Sequence, residues 1–136
     1  MEYTFDQTAD LLDEMAERFP PVFFEQLNGG ILLQEEEKQD PLFPPGEMRF
    51  MGEYVQDAYL GRSIHLFYGS FLACARLENW TEETWKEELY TTLAHEFTHH
   101  IESLANAHAL DDQDAQELAE YLQDYAAKDP NISDTF

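Results

Sequence analysis

Residues 91–105, TTLAHEFTHHIESLA, place His95, Glu96, His99 and His100 inside a segment whose apolar residues recur at helical spacing. Leu93, Phe97, Ile101 and Leu104 continue a ridge that begins at Trp85 and Leu89, which predicts one long helix starting after Asn79. Thr81 is suited to cap its N-terminus, and Glu82 and Glu83 suit the positive end of the helix dipole. The helix therefore has two separable faces, an apolar ridge for the core and a stripe carrying histidine and glutamate.

Upstream, Phe5, Ala9, Leu12, Met15, Ala16 and Phe19 share a face, so a first helix is predicted over Phe5 to Phe19, with Thr4 as N-cap and Pro20-Pro21 as the stop. Gly29-Gly30 marks a turn into a short strand, Ile31 to Leu33, and the charged and proline-bearing stretch from Gln34 to Gly46 reads as a loop. Two more strands are expected, Met48 to Tyr54 and Ser63 to Phe71, separated by the Gly61-Arg62 turn. In the second, both alternating faces are apolar or aromatic, so it belongs in a covered, central place. Downstream, Ala115, Leu118, Ala119, Leu122 and Tyr125 mark a last helix at about Asp112 to Ala127. Helix, short strands, long helix and helix make an α+β layout with a small sheet packed on helices, without the regular alternation of a parallel-sheet nucleotide binder. Residues 1–128 are read as one domain and 129–136 as a flexible tail.

The 136 residues suffice for one modest core, and 29 acidic against 7 basic side chains give a formal charge of −22. That charge repels nucleic acid and anionic lipid and favours cations or basic peptide segments, so neither a nucleic-acid nor a membrane partner is expected. Cys74 is the lone cysteine, no leader-like segment opens the chain, and the most apolar stretch, Ile64 to Ala75, is too short to span a bilayer. A soluble cytoplasmic protein is the expectation; its oligomeric state is not legible.

The histidine stripe carries chemistry. Four residues apart on a helix, His95 and His99 project from the same face and can both reach one ion at about 2 Å, which predicts two zinc ligands. Glu96, one residue on, is directed beside such an ion and is suited to act as general base toward a water. A catalytic zinc needs a third protein ligand and an open position. If the last helix returns antiparallel, Glu120 faces the histidines and is the first choice, with Asp124 accepting a hydrogen bond from a ligating histidine. Asp114 is the alternative if the long helix ends early. His100 points about 100° away from His99 and is assigned to the surroundings of the site. Tyr54, Tyr59, Tyr68, His65 and His108 are candidate donors to an oxyanion.

His95-Glu96-x-x-His99-His100, with the preceding SIHLFYGSF and the helix ending RFPPVF, resembles a small bacterial family of zincin-like metallopeptidases over about residues 1 to 125. The resemblance implies a minimal zincin-like fold, a zinc site, Glu96 as the catalytic carboxylate and peptide or unfolded protein as substrate. Glu102 and Ala105 stand where many members carry glycine and aspartate in H-E-x-x-H-x-x-G-x-x-D, so the third ligand does not carry over. The Glu120-x-x-x-Asp124 pair is similar to that of the thermolysin-like gluzincins. The expected function is a zinc metallopeptidase; the rivals are a catalytically silent binding module on the same fold and an acidic protein that mimics a polyanion.

Overall fold

Thr4 begins the first helix through a reciprocal cap: its hydroxyl accepts from Gln7 N at 3.1 Å, and the Gln7 side chain accepts from Thr4 N at 2.9 Å. This helix, α1, covers Phe5–Glu17 in the computed structural model, which describes residues 1–107 and 110–128, with 112 and 124–128 as backbone only. His108 and the predicted tail 129–136 lie outside the described residues. Leu12 and Met15 are buried on the inner face of α1, and Pro20-Pro21 leads into a single 3-10 turn, Pro21–Phe24, that buries Phe23.

The strands are β1 Gly30–Gln34, β2 Lys38–Gln39, β3 Arg49–Phe50, β4 Gly52–Asp57 and β5 Gly61–Phe67. The main sheet runs β1-β5-β4, with β5 parallel to β1 and antiparallel to β4. Having partners on both sides and fully buried Ile64 and Leu66, β5 takes the central place that its two apolar faces predict. Two regions depart from expectation. The stretch expected as loop contains the two-residue strand β2, and the strand expected from Met48 to Tyr54 is split into β3, which pairs with β2, and β4, because strands this short produce no period-2 signal. The strand expected to Phe71 ends at Phe67, and Tyr68–Glu78 forms a helix, α2.

Composition explains the second correction, since a helix with apolar residues around most of its surface has no polar face to betray its period. Ser70, Phe71 and Ala75 of α2 are buried. Gly69 marks the junction: its N–H donates to Glu36 O at 3.1 Å, and an added Cβ there would lie 2.5 Å from Glu37 N. Only a glycine lets the chain leading into β2 pass so close to the start of α2.

The long helix, α3, runs Glu82–Asn106, capped by Thr81, whose hydroxyl accepts from Thr84 N at 3.2 Å. The last, α4, covers Asp112–Lys128 and returns along α3. The described residues thus form an α+β fold with four helices and a small mixed sheet. The predicted ridge on α3 forms the centre of its core. Phe97 is fully buried, with ring centroids 4.7 Å from Phe19, 5.8 Å from Phe23 and 5.4 Å from Phe24. At the other end Trp85 donates its indole N–H to Met1 O at 3.1 Å, so the start of the chain is tied to the start of α3. Among the described residues no helix is long and apolar enough to cross a membrane.

Candidate functional site

One turn of α3 brings the two histidines together. His95 Nε2 and His99 Nε2 lie 3.0 Å apart, with ring planes at 85°. Two imidazole nitrogens on one tetrahedral ion at about 2.0–2.1 Å would stand about 3.3 Å apart, so a small opening of this pair admits a metal. Glu102 Oε2 lies 3.5 Å from His99 Nδ1, on the side of the ring away from His95. Burial, then the neighbouring His99, lowers the pKa of His95, while Glu102 opposes the shift. His95 is held toward the neutral, ligating form.

Both histidines line an open cavity of about 520 Å³ between α3 and β4. Gly52, Glu53, Tyr54 and Gln56 of β4 form its other wall, with Phe50 at one end. Glu96 lines the same cavity yet is only 5% exposed. Burial first, with the negative charge of Glu53 adding to it and His99 opposing it, raises its pKa to about 7. A carboxyl poised there can both accept and release a proton near neutrality. Its seat depends on Gly52: a Cβ added at that position would lie 2.7 Å from Thr92 Cγ2 and 3.2 Å from Glu96 Oε2. Gly52 is the functional position that sequence reasoning passed over, although an isolated glycine within a strand pattern is a signal of close approach.

His100 is fully buried and points inward from the cavity. Its Nε2 donates to Glu25 O at 2.8 Å, because a carbonyl can only accept, so Nδ1 must accept from the Tyr54 hydroxyl at 2.7 Å. Nearby, Ser103 accepts from Arg62 Nε at 3.0 Å. Burial holds the His100 pKa down, with Arg62 adding to it against the bond to Glu25. The neutral imidazole ties α3 to β4 and to the end of the 3-10 turn. Tyr54→Phe removes the one donor to Nδ1 and leaves a buried acceptor unpaired. It is expected to cost about 1–3 kcal/mol in a urea titration, and a loss below a few tenths would remove this role.

The other sequence candidates fall elsewhere. Tyr54 lines the cavity, but its proton is committed to His100. Tyr68 donates to Tyr3 O, His65 bonds Ser63, and Tyr59 is 97% exposed beyond β4. Glu120 is exposed on α4 and accepts from Gln116 at 3.2 Å. Asp114 is exposed at the start of α4, where its N–H donates to Asp111 at 2.8 Å. Neither lines the histidine cavity. The side chain of Asp124 lies outside those described. Among the described residues no group of three or more His, Cys, Asp or Glu is placed to hold a metal ion. The return of α4 along α3 matches the expectation, but its rotation does not. Ala115 and Ala119 face Thr98, Ile101 and Ala105, a stripe about 100° around α3 from His99.

The fold has a solved counterpart. A conserved hypothetical protein from Thermo thermophilus is 33% identical over 76% of this chain and 99% of that one, with a TM-score of 0.65. The chain belongs to the same family as that protein. No family model matches the chain, and no curated protein does. The resemblance to zincin-like metallopeptidases is corrected accordingly: the relative is described only as a conserved hypothetical protein, and the described residues assemble no three-ligand metal group. A motif confined to two turns of one helix is short enough to occur apart from that family.

Proposed function

We propose that this protein is a metal-dependent hydrolase of peptide bonds, with His95 and His99 holding a zinc ion and Glu96 as general base. The observation that carries the reading is the buried Glu96 carboxyl, poised at about pH 7 in the cavity onto which the paired histidine nitrogens open. A zinc ion bound by the histidines would supply a Lewis acid and lower the pKa of its water. Glu96 takes a proton from the attacking water and returns it to the leaving amine, both within reach of a group whose pKa sits near neutrality. Glu102, 3.5 Å from His99 Nδ1, sets a negative charge beside that ring. β4 is an edge strand of the main sheet beside the cavity, so an extended peptide can add to it through main-chain hydrogen bonds.

The histidine pair supplies two ligands, and the want of a third among the described residues favours a second reading, a metal-holding binding module without turnover. Incubation of the zinc-loaded protein with a quenched fluorescent peptide library separates the two. The hydrolase reading expects cleavage that Glu96→Gln abolishes while zinc stays bound. Zinc retained with no cleavage of any peptide favours the module.

A further inference from the structure

The cavity wall has a one-sided chemistry that also defines what should enter it. Glu53 on β4 and Glu102 on α3 line it, and among the described residues no lysine or arginine does. Glu96 at its floor is 95% buried, so the negative wall leads to a recessed carboxyl that faces the cavity. The chain itself displays the matching chemistry at the rim. Lys38 bonds Glu53, and its ammonium stands 5.9 Å from the ring centre of Phe50 and 5.2 Å from that of Phe67. A cation between carboxylate and aromatic ring is stable at this edge.

Next to Phe50, the loop of the β2–β3 hairpin turns large apolar side chains to solvent. Leu42 is 88% exposed, and Phe43, Met48 and Phe50 are also exposed. The loop is nevertheless well bonded: Asp40 N donates to Met48 O at 2.9 Å, Leu42 N to Asp40 Oδ1 at 2.9 Å, and Gly46 N to Gln39 Oε1 at 3.0 Å. A well-bonded loop that holds several exposed apolar side chains beside a cavity marks a contact surface.

We infer that the site selects an extended polypeptide segment in which a lysine or arginine is held by Glu102 and shares the Glu53 carboxylate with Lys38, and an adjoining apolar residue rests on Leu42, Phe43, Met48 and Phe50. The inference rests on the reading of this cavity as the substrate site and adds the class of side chain it takes. Charge complementarity favours the basic residue, and the position of the hairpin beside the acidic wall places the apolar one next to it.

The test uses the full-length, zinc-loaded Glu96→Gln protein, so that no peptide is consumed, and three labelled peptides alike except for a central Arg-Leu, Glu-Leu or Arg-Ser pair. Fluorescence anisotropy is expected to show Arg-Leu binding about tenfold tighter than either other peptide. Adding Glu53→Gln, Glu102→Gln or the exposed-loop change Leu42→Ser should each weaken it about fivefold. Glu14→Gln, on exposed α1, removes one charge from the general field and should change binding little. Equal binding of the three peptides, or a loss in Glu14→Gln as large as in Glu53→Gln, overturns the inference. Cleavage by the wild-type protein without this preference overturns it too and leaves the hydrolase reading intact. The preference without any cleavage by the wild type supports it and overturns the hydrolase reading alone.

Discussion

Glu96→Gln is expected to abolish hydrolysis and, at the same time, to make the metal-free protein more stable above pH 7. Loss of a general base costs about 10²–10⁴ in rate. The stability gain follows from linkage. The folded protein holds the Glu96 proton up to about pH 7, whereas the ordinary value for the unfolded side chain is 4.5. A raised acid contributes its full stability at low pH, loses it as pH rises between those two values, and leaves a complete deficit above pH 7. Glutamine fills the same buried space without a charge, so the variant escapes the deficit, by about 3 kcal/mol. Urea titrations in chelator should show the variant ahead at pH 8 and level with the wild type near pH 4.5. A variant less stable than the wild type at pH 8 would mean that the fold stabilises the charged carboxylate, contrary to a carboxyl whose ionised form is disfavoured by burial.

Phe97→Ala should produce the largest purely structural loss, about 3–5 kcal/mol. The ring is fully buried and meets Phe19, Phe23 and Phe24, which join α1 and the 3-10 turn to α3. Removing it empties the space between those elements and loosens the helix that carries His95 and His99. A domain of this size should lose about 10–20 °C in thermal midpoint. A loss under about 1 kcal/mol would show that Phe19 and Phe23 collapse onto the gap and that the aromatic cluster is not what seats α3.

What could be read from residues alone divides along physical lines. The ridge Trp85, Leu89, Leu93, Phe97, Ile101 and Leu104 announced α3 because a helix half buried against a core must repeat at about 3.6 residues. All six are buried as that period requires. The Thr4 cap and the central place of β5 were legible for similar local reasons. Helix α2 was not, because apolar residues on most of its sides erase the period by which a helix is recognised. Nor was the β2–β3 hairpin, whose two-residue strands are held by contacts with Gly69, Ser70 and Glu53 distant in sequence. The same division runs through the site. His95 and His99 meet because spacing on one helix suffices, and Glu96 follows from its adjacency. Gly52, Glu53 and the true position of Glu120 depend on how β4 and α4 dock around α3, and rotation of one helix against another is set by packing rather than by spacing.

Whether His95 and His99 hold a metal ion decides the proposed chemistry as a whole. The most direct measurement is the zinc content of the purified protein after dialysis against a micromolar zinc buffer, compared among the wild type, Glu96→Gln, His95→Ala and His99→Ala. About one zinc per chain is expected in the first two, with loss in both histidine variants. Zinc absent from the wild type, or retained when either histidine is removed, would contradict a metal site built on this pair.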